Sequence, residues 1–184
     1  LHTHRALPLA APVLDTATGE LLEHCQLHWH PTHKAVWDTS YANKLGRLCQ
    51  GVGTDPTDPT KQCVPGTDTF WPIHYHAISQ DHRGDITYTR VVCKICPHKA
   101  EQHHTCITIG GNRIAYPGDT GTRTGSLETV KLLLNSTIST PNAKFACFDI
   151  SNFYLGTPLD RPEYVKIQLS VIPDEFVTEY NLHT

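Results

Sequence analysis

The chain contains 184 residues, which is about the length of one domain. Its formal net charge of −3 at pH 7 argues against a protein that holds nucleic acid by bulk basicity, because phosphate affinity needs clustered lysines and arginines. No stretch approaches the roughly 18 apolar residues of a membrane span, and the seven cysteines, without a signal sequence, argue against a disulfide framework. The composition predicts an intracellular protein with no membrane partner.

The first residues of the chain differ in composition from the rest. No methionine occurs in the sequence and the first residue is Leu1, so we expect a fragment or a processed product. Residues 1–34 are rich in His, Pro and Thr and show no periodicity. They are predicted to form an irregular, poorly ordered leader before a single domain over residues 35–184.

The first predicted element of that domain is a helix. Apolar residues recur at helical spacing between positions 36 and 48. Asp38 or Thr39 is expected to cap this helix, and Gly51 to end it. Residues 51–69 are predicted to be a loop, because Gly, Pro and Asp interrupt any regular structure there.

Two strands follow in the middle of the chain. Residues 87–94 are rich in β-branched side chains and predict a strand. Residues 105–109 predict a second, shorter strand, with a turn at Gly110 and Gly111. The two strands are expected to pair as a hairpin around the loop at 96–104.

The last part of the chain is predicted to contain one helix and two strands. Thr124 or Ser126 can cap the helix, and Pro141 ends it. Strands are expected at 144–150 and 163–169, so the fold class is predicted to be α+β. The apolar stripe of the helix comprises Leu127, Val130, Leu133, Leu134 and Ile138.

A cysteine and histidine cluster in the predicted hairpin suggests a structural zinc site. Cys93, Cys96, His103 and Cys106 offer the four sulfur and nitrogen ligands that tetrahedral zinc takes. Their spacing matches none of the established zinc-finger patterns, and the favoured interpretation is that Cys93 is a small hydrophobic residue of a strand and that the others are surface residues. Zinc is therefore not the favoured cofactor. A second, looser group of possible ligands has no second ligand pair at a defined spacing; it comprises His24, Cys25, His28, His30 and His33.

A more specific pattern occurs at residues 145–169. A predicted strand ends near Asp149, the chain turns at once, and two aromatic residues follow at Phe153 and Tyr154. This run resembles the first catalytic-aspartate motif of reverse transcriptases, in the version found in copia-type retrotransposons. Residues 110–140 and 37–51 are also similar to segments of that family. The resemblance covers residues 35–182, is weakest over 52–86, and does not reach residues 1–34.

The resemblance implies a fold, a cofactor and a set of roles. The fold would be the fingers and the beginning of the palm of a polymerase right hand. Asp149 would be the first of the aspartates that bind magnesium, as one part of a two-metal site. Tyr154 would lie under the sugar of the incoming nucleotide. The other residues expected to bind the deoxynucleoside triphosphate are Ile150, through its carbonyl, Phe153, Lys94 and Arg113.

The same resemblance implies partners and a compartment. The partners would be an RNA or DNA template-primer, deoxynucleoside triphosphates and the remainder of a Pol polyprotein. The compartment would be a cytoplasmic virus-like particle or the nucleus. The activity would be RNA-directed DNA synthesis.

Two departures from the family pattern put that activity in doubt for this polypeptide. The Tyr-x-Asp-Asp motif is missing, since no Asp-Asp dipeptide occurs in the 184 residues. Cys96, His104 and Cys106 stand where the family typically has arginines, and a cysteine cannot neutralise a triphosphate as an arginine does. We therefore expect no polymerisation by this chain alone. The alternatives are a small zinc-binding interaction module and a non-functional retroelement relic.

Overall fold

The structure is a computed structural model, and its secondary structure is mixed α and β, in agreement with the predicted α+β class. The chain divides into two compact units, a first unit of Leu1–Ile114 with Leu159–Thr184 and a second unit of Ala115–Pro158. Apart from the side chains of Phe153 and Tyr154, the structure describes residues 12–114, 118, 125–148, 150 and 153–183.

The elements of the two units are short apart from two helices and one hairpin. The helices are α1 (His24–Trp29), α2 (Lys34–Leu48), α3 (Leu127–Ser139) and α4 (Asp174–Glu179). The strands are β1 (Val13–Leu14), β2 (Leu21–Leu22), β3 (Gly51–Thr54), β4 (Gln62–Pro65), β5 (Thr87–Ile95), β6 (His103–Ile109) and β7 (Val165–Lys166). All of them except α3 belong to the first unit.

The strands of the first unit form three small sheets. β1 pairs with β2 and β3 pairs with β4, both antiparallel. The third sheet has the order β6-β5-β7, in which β5 is antiparallel to β6 and parallel to β7. The predicted strand at 163–169 is thus confirmed only as the two residues of β7.

Helix α2 confirms the helix predicted over residues 36–48. Its apolar stripe is buried apart from the exposed Val36, with Tyr41 and Leu45 in the interior. The predicted caps are wrong, because the helix begins at Lys34 and His33 is the residue before it. Asp38 lies inside the helix, where it binds Lys34 one turn earlier.

Two hydrophobic clusters hold the first unit together. The first packs α2 against β3, β4 and α4, a helix that the sequence pattern did not predict. In it the ring of Phe176 stacks on Tyr180 at 4.2 Å, and the Tyr180 hydroxyl donates to the carbonyl of Gly51 at 2.6 Å. Its buried residues are Tyr41, Ala42, Leu45, Cys49, Val52, Val64, Ile172, Phe176 and Val177.

The second cluster contains residues of the segment that was predicted to be an irregular leader. Within the described part of that segment, residues 12–34, the chain forms β1, β2 and α1. Two-residue strands have no detectable period, and this hairpin is held by tertiary packing rather than by local pattern. The cluster consists of Val13, Leu22, Leu27, Trp37 and Cys93.

The loop predicted over 51–69 is in fact the β3–β4 hairpin with a connection between its strands. The turn chemistry was correctly placed, because Asp55 accepts hydrogen bonds from the backbone and hydroxyl of Thr57. The strands were missed because Gly51 and Gly53 obscure the alternation. Both glycines adopt positive φ angles, of 106° and 72°.

The hairpin predicted around residues 96–104 is confirmed. β5 and β6 pair in continuous register from Thr89 with Ile109 to Ile95 with His103. The hydroxyl of Ser40 on α2 donates to the carbonyl of His103 at 2.9 Å. The hairpin is therefore anchored on α2.

In the second unit the predicted helix is confirmed and the predicted strand is not. α3 begins after Ser126, whose hydroxyl accepts the N–H of Thr129 at 3.1 Å, as expected for a cap. Residues 144–148, which belong to the strand predicted at 144–150, have no strand structure. The β-branched and aromatic pattern there gives a propensity only, and a strand also needs a pairing partner.

Among the described residues, no helix combines the length and the apolar character needed to cross a membrane.

We expect replacement of Gly46 with alanine to destabilise the first unit by about 1–3 kcal/mol, although alanine is the better helix former. A Cβ at Gly46 would lie 2.5 Å from Cγ1 of Val52 and 3.0 Å from its backbone nitrogen. Urea unfolding followed by circular dichroism measures the change. The matched control is Gly84→Ala, where an added Cβ meets nothing within 4 Å. Equal effects of the two substitutions would contradict this account of the α2–β3 contact.

Candidate functional site

The proposed catalytic residue, Asp149, lies outside the described residues, and so do the side chains of Phe153 and Tyr154. The backbone from Phe153 to Gly156 forms a short 3-10 helix. Ile150 is exposed.

The two basic residues predicted to contact a triphosphate are not brought together. Lys94 is exposed near the loop end of the hairpin, where β5 pairs with His104 of β6. Arg113 follows the other end of β6, with its guanidinium 5.8 Å from the ring centre of Tyr88. The stretch of β5 from Thr89 to Lys94 alone spans about 17 Å at about 3.3 Å per residue. One phosphate group cannot contact both side chains.

The four candidate zinc ligands of the hairpin do not converge either. Cys93 is buried in the second cluster, and its strand partner is the buried Thr105. Cys106 is the next residue of β6 and is exposed, so it points to the opposite face. His103 packs edge-on against the ring of Trp37 at 5.0 Å. The hairpin therefore does not place these side chains around one ion.

The looser histidine group separates into two sets in the structure. His24 and His28 lie on α1 and are buried against α2. His30 and His33 flank the short turn between α1 and α2 and are partly exposed. Each set meets a different carboxylate, and the sequence pattern identified neither carboxylate as a partner.

His30 and His33 meet Asp15, which follows β1. Nε2 of His33 lies 3.4 Å from Oδ1 of Asp15, and Nε2 of His30 lies 3.9 Å from Oδ2. The two imidazole rings have their centres 4.5 Å apart. One ligand atom from each of the three residues lies within 4.8 Å of the other two, which makes this group a candidate metal centre.

The Asp15 carboxylate is fixed before any ion binds. It is 4% exposed, and it accepts hydrogen bonds from the hydroxyl of Thr18 at 2.8 Å and the backbone N–H of Ala17 at 3.1 Å. The Thr18 hydroxyl, followed by the Ala17 N–H, lowers the pKa of Asp15 to about 2. Asp15 is therefore an ionised, oriented acceptor at neutral pH.

His24 and His28 form a buried pair on the other side of α1. Nδ1 of His28 donates to Oδ1 of Asp38 at 2.6 Å, and Nζ of Lys34 donates to the other oxygen at 2.6 Å. The ring of His24 meets the ring of Tyr41 edge-on at 4.6 Å. Within the described part of the chain, Nε2 of His24 and the hydroxyl of Tyr41 are buried and have no hydrogen-bond partner.

Burial governs the ionisation of these two groups. It lowers the pKa of His24 to about 4, with a further lowering by His28 and an opposing contribution from Asp38. Burial also raises the pKa of Tyr41, and the neighbouring Cys93 adds to that rise. Both side chains are therefore neutral at pH 7.

The same two side chains line a cavity of about 470 Å³ in the first unit. Its lining includes charges of both signs, the ion pair of Glu23 with Arg90 at 3.5 Å and the side chain of Lys166. A cavity of this size is in the range of small-molecule sites.

Asp15 is the functional candidate that the sequence pattern missed. The available signal was weak: an Asp followed by Thr18 and Gly19 marks a turn, and His30 and His33 are separated by two residues. A link between these segments depends on the pairing of β1 with β2, which sequence periodicity does not reveal. Comparison of the chain with protein-family models, with curated proteins and with solved structures found no match.

Proposed function

We propose that this chain is a fragment of a copia-type retrotransposon reverse transcriptase, comprising the fingers and the beginning of the palm. The observation that carries the proposal is the sequence of residues 145–169, in which Asp149 is followed at positions 153 and 154 by the aromatic residues Phe153 and Tyr154. The pairing of β5 with β6 supports it, because the resemblance implies a fingers hairpin at that position.

The chemistry of nucleotidyl transfer explains the proposed roles. Two metal ions stabilise the attacking and the leaving oxygens, and magnesium needs only one or two carboxylates besides the substrate phosphates and water. Asp149 supplies one carboxylate and the Ile150 carbonyl a second oxygen. Tyr154 supports the sugar of the incoming nucleotide. Lys94 and Arg113 lie too far apart to share one phosphate, so at most one of them neutralises it directly.

The proposed site contains the first metal-binding aspartate of a polymerase, Asp149, and this polypeptide does not supply the second aspartate pair. No Asp-Asp dipeptide occurs in the sequence, and one carboxylate does not hold two divalent cations together. The proposal therefore implies nucleotide binding without polymerisation by the chain alone. Its implied partners are a template-primer, deoxynucleoside triphosphates and the rest of a Pol polyprotein, in a virus-like particle or the nucleus.

A nucleotide-binding experiment tests the proposal. We expect the chain to bind a fluorescent deoxynucleoside triphosphate in the presence of magnesium, and Asp149→Asn to weaken that binding at least about tenfold, since a charged metal ligand is lost. The matched control is Asp160→Asn, an exposed aspartate of the same segment, which should bind like the wild type.

Each outcome of this experiment has a defined meaning. Binding that Asp149→Asn leaves unchanged would contradict the proposed role of Asp149. Absence of any nucleotide binding would favour the retroelement relic over the polymerase fragment. A primer-extension assay on an RNA template should show no incorporation, and template-dependent incorporation would refute the incomplete site. The zinc-binding module of the hairpin is not proposed, because Cys93 and Cys106 lie on opposite faces.

A further inference from the structure

We propose that Asp15, His30 and His33 bind a divalent transition-metal ion of the zinc class, and that this ion fastens the β1–β2 hairpin to the turn between α1 and α2. The site lies in the first unit and in the part of the chain that the family resemblance does not reach. It is independent of the magnesium chemistry proposed for Asp149.

The distances fit a tetrahedral ion. Bonds of about 2.0–2.1 Å from zinc to nitrogen and oxygen place neighbouring ligand atoms about 3.3 Å apart. Oδ1 of Asp15 lies 3.4 Å from Nε2 of His33, and Oδ2 lies 3.9 Å from Nε2 of His30. One ligand atom from each of the three residues lies within 4.8 Å of the other two, so an ion draws these atoms together by up to about 1.5 Å. Rotation of the two partly exposed imidazole rings provides this movement. Three protein ligands leave the fourth position to water.

The donor set selects the kind of ion. Two imidazole nitrogens with one carboxylate suit zinc and the neighbouring transition metals. Magnesium and calcium prefer oxygen ligands throughout, and this group offers them from one side chain only. A monovalent cation would gain little from two neutral imidazoles. Zinc is therefore the appropriate probe.

The surroundings orient the ligands as metal sites require. The carboxylate of Asp15 is held by Thr18 and Ala17, so its direction is set in advance. Nδ1 of His30 accepts the backbone N–H of Thr32 at 3.3 Å and lies 3.0 Å from the hydroxyl oxygen of Thr32. Metal binding through Nε2 places the ring proton on Nδ1. The His30 ring must then turn away from the Thr32 N–H, and the Thr32 hydroxyl can accept the proton.

The three side chains differ in exposure, so that a buried carboxylate can hold an ion that reaches the site from solvent past two partly exposed imidazoles. Asp15 is 4% exposed, whereas His30 and His33 are 25% and 31% exposed. An ion can reach the imidazoles from solvent and then contact the buried carboxylate. Lys34, the nearest cation along the chain, is engaged with Asp38 and does not compete for Asp15.

Binding would stabilise the fold because the unfolded chain does not hold the three ligands together. Asp15 is 15 residues before His30 and 18 before His33 in the sequence, so the ion closes this segment into a loop. With free zinc at about a hundred times the dissociation constant, we expect Tm to rise by about 5–10 °C for a chain of this length.

The test is a zinc titration of the full chain in competition with a chromogenic chelator, with Tm measured in parallel. We expect one site, and we expect His30→Ala, His33→Ala and Asp15→Asn each to weaken zinc binding at least about tenfold and to abolish most of the rise in Tm. In Asp15→Asn the single amide oxygen can still accept the N–H of Ala17, and the amide nitrogen can donate to the hydroxyl of Thr18, so the charge is lost while the turn keeps two hydrogen-bond contacts. The matched control is His82→Ala, which removes an exposed histidine 3.7 Å from Asp85 and should bind zinc like the wild type.

A second metal distinguishes this site from the cysteines. Bound Co²⁺ is expected to show the visible bands of tetrahedral nitrogen and oxygen coordination without a thiolate charge-transfer band. Such a band, zinc binding that persists in both His30→Ala and His33→Ala, or no zinc binding at all would each overturn the proposal. Nucleotide binding by the same preparations is expected to be unchanged in these variants, so failure of this proposal is separable from failure of the polymerase proposal.

Discussion

Replacement of Trp37 with alanine is expected to lower the free energy of unfolding by about 3–5 kcal/mol, the cost of removing a large buried aromatic side chain. Trp37 is 1% exposed at the centre of the second cluster. Domains are stable by only about 5–15 kcal/mol, so this single substitution removes a large part of the total. Urea unfolding followed by circular dichroism measures the loss.

The size of the expected loss follows from the number of elements that Trp37 joins. The indole lies on α2 and packs against Leu27 of α1, Val13 of β1 and Cys93 of β5 through the shared cluster. Its ring also meets the imidazole of His103 on β6 edge-on at 5.0 Å. A void at this position therefore loosens both the N-terminal hairpin and the β5–β6 hairpin from α2.

Two further substitutions make the test of Trp37 specific. Trp37→Phe keeps most of the buried area and should cost much less than Trp37→Ala. Trp71→Ala removes the same atoms from a side chain that is 63% exposed, and it should change the free energy of unfolding by no more than about 0.5 kcal/mol. Similar losses for Trp37→Ala and Trp71→Ala would show that the second cluster contributes little to stability.

The elements that could be predicted from the sequence are those specified by local pattern. The apolar stripe of α2, the β-branched run of β5 and the Ser126 cap of α3 each encode their structure within about ten residues, and all three are confirmed. The pairing of β5 with β6 was also predictable, because one short loop joins two strands of similar length.

The elements that could not be predicted depend on distant partners. β1 and β2 contain two residues each, and they are held by the burial of Val13 and Leu22 against Trp37 and Cys93. α4 is six residues long, and its position depends on contacts that Phe176 and Tyr180 make with residues more than one hundred positions earlier. No window of the sequence contains both sides of these contacts.

The candidate sites show the same division. The pattern around Cys93 and Cys106 looked like a ligand set because the residues are close in sequence, yet strand alternation places the two on opposite faces. Asp15 and His33 are 18 residues apart and form a close pair. Proximity along the chain is thus a poor guide to which candidate ligands converge, and the pairing of short strands decides which residues meet.

Acidification from about pH 7 to about pH 4 is expected to destabilise the first unit through His24, by an amount on the order of 3 kcal/mol. Burial, together with the neighbouring His28, lowers the pKa of His24 from 6.5 in the unfolded chain to about 4 in the folded one. Below pH 6.5 the unfolded chain binds a proton that the folded chain does not. The contribution of His24 to the free energy of unfolding is therefore fully present above pH 6.5, and it is lost as the pH falls from 6.5 to the folded pKa of about 4.

The surroundings of His24 explain why protonation is unfavourable. Its side chain lies between the ring of Tyr41 and the stacked ring of His28, and its Nε2 has no hydrogen-bond partner among the described residues. Asp38 offsets part of the cost, but its carboxylate is already bound by His28 and Lys34. Asp15 does not contribute to the loss of stability between about pH 7 and about pH 4. Its pKa is lowered in the folded chain, so the stability that its ionised carboxylate provides is lost only below about pH 4.

The measurement is the urea midpoint as a function of pH for the wild type, His24→Phe and His98→Phe. His24→Phe keeps an aromatic ring in the core and removes the titrating group, so its midpoint should fall much less between about pH 6.5 and about pH 4. His98 is an exposed histidine of the loop between β5 and β6, and its variant should retain the full dependence of the wild type. If the urea midpoint of His24→Phe fell with pH as much as that of the wild type, the acid sensitivity would belong to groups other than His24.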